Sequence, residues 1–342
     1  MTSTNKTSTD KISTDMTSTD KTATDPTTPT APFVFLFPGQ GSQSKGMLDA
    51  FDDSAVVQQT LQEASDALGY DMAALIRDDA DNQLAQTEYT QPALLTASTA
   101  VLRLWQELGG ATPAQVAGHS LGEYSALVAA GSLDFTDAVQ LVAFRGKAMT
   151  EAVPAGIGSM AAILGLSDES IEELCAEASD ESNKVWAANY NCPGQLVVAG
   201  HTAAVERLMI NAKAAGAKRT LPLAVSAPSH TPLMQPAADA MAARLMEITI
   251  QSPTIPVWGN ANASPEQDVQ NIRQALVAQL ISPVRWTETI QKLAAGGITQ
   301  AVEMGPGKVL SGLVRRIERN MTVGVSINPD QLQTSLNTIA GE

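Results

Sequence analysis

Short apolar runs alternate with longer helical patterns over most of the chain. The run Phe33–Phe37 is apolar at every position and stands between Pro32 and Pro38, which is typical of a strand buried on both faces of a sheet. Gln115–Gly118 has the same character. Between these two runs, residues 93–108 repeat apolar side chains at helical spacing. Strands that alternate with helices predict an α/β fold with a parallel, doubly wound sheet covered by helices on both faces.

Residues 156–226 show a different order of predicted elements. They are a strand, a helix, two strands, a helix and a strand, at residues 159–166, 168–178, 184–189, 195–199, 203–215 and 218–225. This βαββαβ order is that of the ferredoxin-like, split βαβ unit. The pattern therefore predicts a small subdomain, residues 156–226, inserted into a large α/β domain of residues 32–155 and 227–342.

Residues 1–31 differ from both units. A drifting five-residue repeat rich in serine and threonine runs through them, and large apolar side chains are almost absent. Such a segment buries too little apolar surface to offset the entropy that is lost on ordering. We predict a disordered tail.

Composition narrows the classes of function. The 342 residues carry 21 Lys and Arg against 36 Asp and Glu, a formal net charge of −15, which disfavours binding to nucleic-acid phosphates or to an anionic membrane surface. The chain shows no apolar run long enough to span a membrane and no signal-peptide pattern. Cys175 and Cys192 are too few for a disulfide framework, so we expect a reducing, cytoplasmic location. The scattered histidines and cysteines lack metal-ligand spacing, and we predict no metal.

The strongest chemical signal is Gly118-His-Ser-Leu-Gly122, which fits the G-x-S-x-G pattern of a nucleophile elbow. An apolar strand precedes it and a helical run, residues 123–130, follows it, as the elbow requires. The glycines permit a tight strand-to-helix turn above the carboxyl edge of a hydrolase-like sheet, and the helix N-terminus offers N–H groups to a developing oxyanion. Ser120 is therefore the candidate nucleophile, and a structural glycine-rich turn is the alternative.

A serine nucleophile needs a base, and the chain offers three histidines. His119 adjoins Ser120, where consecutive side chains diverge at a sharp turn. His201 lies between a strand and a helix of the small unit, a position typical of a cap or a surface residue. His230 lies in the stiff 228–232 loop, where the chain re-enters the large domain, and it follows Ser120 in chain order. We predict that His230 is the base.

The oxyanion requires two N–H donors. The backbone N–H of Leu121, directly after the nucleophile, is one candidate. The glycine-rich loop 38–43 follows the first strand, and because parallel strands deliver their following loops to one edge of the sheet, this loop can supply the second. The loop lacks the spacing of a phosphate-binding or a dinucleotide-binding loop.

Arg145 lies in an apolar helical run, where a guanidinium is costly unless it is paired. A guanidinium binds a carboxylate through two parallel hydrogen bonds, which a lysine cannot do. Arg145 therefore indicates either an acyl group that carries its own carboxylate or a structural ion pair with a nearby Asp or Glu. The spacing alone leaves both open.

A set of motifs occurs in a fixed order along the chain: Phe37-Pro-Gly-Gln-Gly-Ser-Gln43, Thr90-Gln-Pro-Ala93, Gly118-His-Ser-Leu-Gly-Glu-Tyr-Ser125, Phe144-Arg-Gly-Lys147, Pro228-Ser-His230, Gln279 and Glu303-Met-Gly-Pro-Gly307. This set resembles the malonyl-CoA:acyl-carrier-protein transacylases of bacterial fatty-acid synthesis. The resemblance covers residues 33–330, and as a group these motifs are far more specific than G-x-S-x-G alone. Cys192 stands where the family leads us to expect serine.

The resemblance implies a ping-pong transfer of malonyl from malonyl-CoA to the phosphopantetheine thiol of acyl carrier protein, without a bound cofactor. Ser120 would carry the malonyl ester, and His230 would act as general base and acid. Arg145 would hold the malonyl carboxylate. Gln279 would orient His230 in place of a carboxylate.

The resemblance also implies supporting roles. The backbone N–H groups of Gln40 and Leu121 would form the oxyanion hole. Without the resemblance, Asp239 and Glu303 are the candidates for an acidic partner of the base. The residues implied to line the cleft are Gln91, His119 and Asn189.

Carrier proteins are acidic, so an acidic enzyme needs a local basic patch to dock one. Lys218 and Arg219 in the small unit, and Arg315 and Arg316 near the C-terminus, are candidates for this patch. Ordinary solvated charge is the alternative. We expect a monomer.

Three other functions compete with malonyl transfer. A serine hydrolase or thioesterase would use the same elbow and turn over malonyl-CoA without a carrier protein. A polyketide-type acyltransferase would share Ser120, His230 and Arg145 and take a different extender unit. A non-catalytic carrier-binding module is disfavoured because all three of these residues are present.

Overall fold

The computed structural model describes residues 1–2, 29–225 and 227–342. Residues 3–28, which make up most of the predicted tail, lie outside the described residues. Where the description resumes, the backbone N–H of Thr30 donates to the carbonyl of Ile339 at 3.1 Å. The end of the predicted tail therefore contacts the last helix of the chain.

The described residues contain ten strands and twelve α-helices. The strands are β1 Phe33–Phe37, β2 Gln115–Gly118, β3 Gly158–Leu164, β4 Val185–Cys192, β5 Gln195–His201, β6 Arg219–Pro222, β7 Val257–Trp258, β8 Pro265–Glu266, β9 Gln300–Glu303 and β10 Thr322–Val325. The helices are α1 Ala55–Leu68, α2 Met72–Asp78, α3 Thr87–Glu107, α4 Gly122–Ala129, α5 Phe135–Glu151, α6 Asp168–Ala178, α7 Thr202–Ala214, α8 Gln235–Glu247, α9 Val269–Ile281, α10 Trp286–Ala295, α11 Val309–Ile317 and α12 Pro329–Ala340. Across the described ranges, none of these helices is long and apolar enough to cross a membrane.

Six strands form one sheet in the order β10-β9-β1-β2-β7-β8, and only the β7–β8 pair is antiparallel. Its inner strand β1 is buried at every position. Phe33, Phe35 and Phe37 pack in the hydrophobic core that contains α3. Val34 and Leu36 pack in a second core on the other face, with α10 and α11. This alternation is that of a strand between two helical layers, which confirms the predicted α/β class.

The remaining four strands form an antiparallel sheet in the order β4-β5-β3-β6. Helices α6 and α7 pack on one face of it. This is the predicted βαββαβ arrangement. The last strand, Arg219–Pro222, is shorter than the predicted residues 218–225, although the N–H of Leu223 still donates to the carbonyl of Met160 at 3.0 Å.

Backbone hydrogen bonds join the small sheet to the large domain. The N–H of Tyr190 donates to the carbonyl of Val284 at 2.9 Å, and the N–H of Val284 donates to the carbonyl of Ala188 at 2.9 Å. Val284 stands just before α10, which packs on the large sheet. Strand β4 is therefore fixed beside the large domain.

Helix α3 begins earlier than the sequence predicted. It starts at Thr87 and includes Pro92, whereas the expected helix covered residues 93–108. Pro92 forfeits one backbone hydrogen bond, near the start of the helix. Close packing on α5 accompanies this early start, since a side-chain carbon at Gly146 would lie 2.6 Å from the carbonyl oxygen of Thr87.

Candidate active site

Ser120 stands between β2 and α4 with a φ of 51°, in the left-handed region. Two glycines make this sharp turn possible. A side-chain carbon at Gly118 would lie 1.9 Å from the carbonyl carbon of Gly122, and one at Gly122 would lie 2.1 Å from the carbonyl oxygen of Phe37. The G-x-S-x-G pattern therefore folds as a strand–turn–helix elbow.

His230 faces the nucleophile. Its Nε2 lies 2.8 Å from Oγ of Ser120, and its Nδ1 lies 2.8 Å from the backbone carbonyl oxygen of Gln279. A carbonyl only accepts, so Nδ1 carries the hydrogen and Nε2 is left as the acceptor for the serine hydroxyl. Burial, followed by the positive charge of Arg145, lowers the pKa of His230 from 6.5 to about 3. The imidazole is neutral and ready to accept a proton.

Gln279 contacts four neighbours through three different atoms. Its backbone carbonyl holds His230, while its side-chain Oε1 accepts from Nη2 of Arg145 at 2.8 Å. Its Nε2 donates to the carbonyl of Ser120 at 3.0 Å and to Oε2 of Glu123 at 2.7 Å. The side chain of Gln279 therefore orients the arginine, and only its backbone orients the base.

Arg145 is fully buried beside the nucleophile. Its Nη1 donates to Oε1 of Gln91 at 2.8 Å, and its Nη2 lies 3.4 Å from Oγ of Ser120. Its guanidinium also lies over the ring of Tyr124, at 5.4 Å from the centroid. Burial lowers the pKa of Arg145, but a guanidinium stays charged in proteins. No ion pair of Arg145 with an Asp or Glu occurs among the described residues, so the structural ion pair is not formed.

The loop after β1 lies directly against the elbow. Phe37 and Gly118 pair at the ends of β1 and β2, and the N–H of His119 donates to the carbonyl of Phe37 at 3.0 Å. Gly39 permits the contact, because a side-chain carbon there would lie 2.3 Å from the carbonyl oxygen of His119. Gln40 and Leu121 therefore line one cavity with Ser120.

This cavity has a volume of about 230 Å³ and lies between the two sheets. Ser120 and Arg145 line it from the large domain. Met160 and Val197 line it from the face of the small sheet opposite α6 and α7. Leu313 of α11 also belongs to the lining.

The predicted cleft-lining residues are all in this cavity. Gln91 is buried and bonded to Arg145, as described above. His119 places Nε2 at 2.8 Å from Oδ1 of Asn191 and packs edge-on against Trp286. Asn189 is buried at the cavity wall.

The discarded candidates form hydrogen bonds with other groups. Nδ1 of His201 accepts from the backbone N–H of Lys184 at 2.9 Å. Asp239 accepts from the side chain of Gln235 on the exposed part of α8. Glu303 accepts from two backbone N–H groups at the start of α11, including that of Leu310 at 2.9 Å.

Sequence reasoning missed two residues beneath the elbow. Asn260 accepts the N–H of Ser120 with Oδ1 at 2.7 Å, and it donates through Nδ2 to the carbonyl of Gly118 at 2.7 Å. Glu123 accepts from Gln279 and from the backbone N–H of Asn260 at 3.1 Å. The available signal for Glu123 was a carboxylate three residues after the nucleophile, at the start of a largely apolar helical run, whereas Asn260 carries no motif.

The four candidate docking residues are exposed. Arg219 and Gln195 flank Leu164 in one row across the small sheet. Nη1 of Arg316 donates to Oε1 of Gln195 at 2.7 Å. The two basic pairs, Lys218 with Arg219 and Arg315 with Arg316, therefore lie at the same end of this sheet.

Comparisons with known proteins agree with this geometry. The sequence profile of the acyl transferase domain matches residues 34–331. The malonyl CoA-acyl carrier protein transacylase of Escherichia coli strain K12 is 53% identical over 305 residues, which are 89% of this chain and 98% of that protein. The transacylase of Bacillus subtilis strain 168 is 45% identical over 90% of this chain and 97% of its own.

Two solved structures extend the comparison to the fold. The malonyl CoA-acyl carrier protein transacylase from Coxiella burnetii superposes with a TM-score of 0.89 at 45% identity, covering 92% of this chain and 99% of that chain. A malonyl-transacylase in complex with its type II polyketide synthase acyl-carrier protein superposes with a TM-score of 0.88 at 50% identity, covering 90% of this chain and 100% of that chain.

Proposed function

Because the chain belongs to the malonyl CoA-acyl carrier protein transacylase family of acyltransferases, we propose that it carries malonyl from donor to acceptor as an ester on Ser120. The overall activity is that of an acyl-carrier-protein S-malonyltransferase in fatty-acid synthesis, with malonyl-CoA as a substrate.

In the first half-reaction, His230 activates Ser120. Nε2, 2.8 Å from Oγ, accepts the hydroxyl proton as Oγ attacks the thioester carbonyl carbon. The carbonyl oxygen becomes an oxyanion between the backbone N–H groups of Gln40 and Leu121, each typically worth about 3 kcal/mol of barrier. When the carbon–sulfur bond breaks, the imidazolium returns the proton to the CoA thiolate.

The position of Arg145 is the observation that supports selection of malonyl. Its side chain is buried next to Ser120, and its two short side-chain hydrogen bonds, each of 2.8 Å, go to the neutral amides of Gln91 and Gln279. The long 3.4 Å contact between Nη2 and Oγ of Ser120 leaves a donor that an incoming carboxylate can take. Arg145 therefore binds the free carboxylate of malonyl and directs its thioester carbon toward Oγ.

Binding of malonyl also prepares the base. The charge of Arg145 is one of the causes of the low pKa of His230. A malonyl carboxylate on the guanidinium offsets that charge, so the pKa of His230 rises when the substrate is bound. The base gains proton affinity at the moment when Ser120 must lose its proton.

In the second half-reaction, the thiol of the carrier's phosphopantetheine arm attacks the ester carbon on Ser120. His230 removes the thiol proton and returns it to Oγ of Ser120 as the ester bond breaks. The site is then restored, as ping-pong kinetics require.

Replacement of Arg145 tests the role of this residue. We expect R145A to lower kcat/KM for acylation by malonyl-CoA about a hundredfold or more, because a buried charged partner is lost. Acylation by acetyl-CoA should fall much less, since acetyl has no carboxylate. R145K is the matched control and should be intermediate, because it keeps the charge without the planar fork. An R145A enzyme that still prefers malonyl-CoA to acetyl-CoA would overturn the proposal.

Docking of the carrier is proposed at the basic end of the small sheet. The sheet register supports this location, because Arg219 lies two strands away from Gln195, which lines the cavity. Strand spacing puts their Cα atoms about 10 Å apart. A carrier bound there would have its arm close to the cavity mouth.

The other predictions of the sequence are retained as proposals. We propose a cytoplasmic monomer with a tail at residues 1–31, a large domain at 32–155 and 227–342, and a subdomain at 156–226. Light scattering tests the monomer, and limited proteolysis tests the tail. A carrier of polyketide type is the alternative acceptor, because a 50% identical malonyl-transacylase has been solved with such a carrier.

A further inference from the structure

Glu123 is a buried carboxylate that the mechanism above does not use. It lies in the first turn of α4 and is only 3% exposed. Its Oε2 accepts from Nε2 of Gln279 at 2.7 Å and from the backbone N–H of Asn260 at 3.1 Å. Glu123 forms no ion pair among the described residues. A carboxylate is costly to bury, so these two donors are its main compensation.

The contact with Glu123 selects one orientation of the Gln279 amide. In the observed orientation, Nε2 donates to two acceptors, the carbonyl of Ser120 and Oε2 of Glu123, and Oε1 accepts from Arg145. In the reversed orientation, an oxygen would face two oxygens and an NH₂ group would face the guanidinium. Each of these contacts would leave a buried polar group unpaired. Glu123 therefore supplies one of the two contacts that aim Oε1 of Gln279 at Arg145.

The same arrangement leaves Arg145 available to a ligand. A carboxylate in direct contact with Arg145 would occupy the donors that a substrate carboxylate needs. Glu123 instead lies behind the amide of Gln279, so its charge stabilises the guanidinium without occupying it. Burial raises the pKa of Glu123 to about 7, so the carboxylate is charged at pH 8, and its attraction to Arg145 acts across this amide.

We propose that Glu123 is a positioning residue for acyl-group selection, which holds Gln279 so that Arg145 is presented to the carboxylate of the acyl group. The proposal rests on the proposed function, because it requires that Arg145 bind this carboxylate. Glu123 also supports Asn260 under the elbow, and loss of that contact would slow both malonyl and acetyl transfer. The ratio of malonyl to acetyl kcat/KM isolates the contribution made through Gln279.

Three substitutions at position 123 separate position from charge, assayed at pH 8. E123L removes the acceptor and should lower the malonyl to acetyl ratio about tenfold, the worth of a hydrogen bond to a charged group. E123Q keeps an acceptor oxygen in place and should hold the ratio near the wild-type value. E123D keeps the charge but withdraws the acceptor, so its ratio should fall toward that of E123L. If E123L does not fold, E123D tests the positioning role in its place.

Glu303 provides the matched control. It is a fully buried carboxylate that accepts from backbone N–H groups of α11 and has no contact with Arg145 or Gln279. E303Q should lower the melting temperature and leave the malonyl to acetyl ratio unchanged. A purely structural role of Glu123 would give the same result.

The outcomes distinguish the two proposals when R145A is measured in parallel. If R145A loses the malonyl preference while E123L and E123D keep it, the positioning role is wrong and the proposed function stands. If the malonyl to acetyl ratio falls in E123Q but stays near the wild-type value in E123D, the charge of Glu123 rather than the position of its oxygen sets the ratio. The proposal is then likewise overturned. If R145A itself keeps the preference, both proposals fail, because Glu123 then has no guanidinium to position.

Discussion

Ser120 and His230 both adopt left-handed backbone conformations, with φ of 51° and 62°. Such conformations cost about 1–3 kcal/mol for a residue with a side chain, so neighbouring contacts must hold them. Asn260 bonds the N–H of Ser120 and the carbonyl of Gly118 on either side of the elbow. The carbonyl of Gln279 holds the imidazole of His230. These contacts hold the strained backbone, so that Oγ and Nε2 are aligned before substrate binds.

The protonation state of His230 gives a prediction at this scale. Burial first, then the charges of Arg145 and His119, lower its pKa to about 3. We expect its ring signals in NMR spectra of the free enzyme to stay in the neutral position from pH 8 to pH 5. The unfolded chain takes up this proton near pH 6.5, so the fold loses stability as the pH falls below that value.

Only three histidines are present, so their signals can be assigned by substitution. H201Q removes a ring that lies outside the cavity and serves as the control for assignment. A midpoint near pH 6.5 for the His230 signal would contradict the assigned environment of the base.

The sequence alone predicts those site residues for which the chemistry leaves few candidates. Ser120 follows from a motif with its strand and helix, and His230 follows because few histidines exist. Arg145 is conspicuous because a guanidinium in an apolar run needs a partner, but its partners lie on α3 and α9. Asn260 escapes prediction, because it is 140 residues from Ser120 and asparagine is common in turns.

At the scale of elements, the strand ends place the chemistry. Phe37 and Gly118 are paired at the ends of β1 and β2, and this register brings the loops after the two strands together, as parallel strands predict. Asn260 follows β7 at the same sheet edge. The same rule would have placed it there, but β7 has only two residues and gives no periodic signal.

The basic pair at the start of β6, Lys218 and Arg219, gives a prediction for carrier docking. We expect K218E/R219E to raise KM for acyl carrier protein about tenfold at low ionic strength and to leave acylation by malonyl-CoA unchanged. The difference in KM between the variant and the wild type should narrow with added salt, because the screening length falls to about 3 Å at 1 M. Steady-state transfer and single-turnover acylation measure the two half-reactions separately.

Arg77 on α2 provides a single charge reversal away from the small sheet as a control. Its partner Asp52 is as exposed as Arg77 itself, so R77E should change neither half-reaction. Arg316 is unsuitable for this test, because it holds the β4–β5 turn through Gln195 and the carbonyl of Pro193. Equal effects of K218E/R219E on both half-reactions would count against docking at this site.

At the scale of the whole molecule, two sheets enclose one reaction cavity. The βαββαβ order predicts the two helices that cover one face of the small sheet. It does not show that the other face, which no helix of the small unit covers, forms a wall of the cavity. That bare face carries Met160 and Val197 to the cavity wall. Backbone bonds of Val284 fix the small sheet in this position, and an isolated residue pairing of this kind has no sequence signature.

The large acidic charge also acts at this scale. We expect the net charge of −15 to repel an acidic carrier, so the proposed docking depends on the local basic end of the small sheet. The sequence contains the two basic pairs but does not show that both lie at one end of the small sheet, near Gln195 of the cavity wall.

The central claim is a covalent malonyl ester on Ser120, and intact-protein mass spectrometry after brief mixing with malonyl-CoA tests it most directly. We predict a gain of one malonyl group in the wild type, located on Ser120 by peptide mapping and removed by acyl carrier protein. S120A should show no gain, whereas S42A, which lacks another serine of the same cavity, should keep it. An adduct that persists in S120A, or release of free malonate without any adduct, would contradict the account.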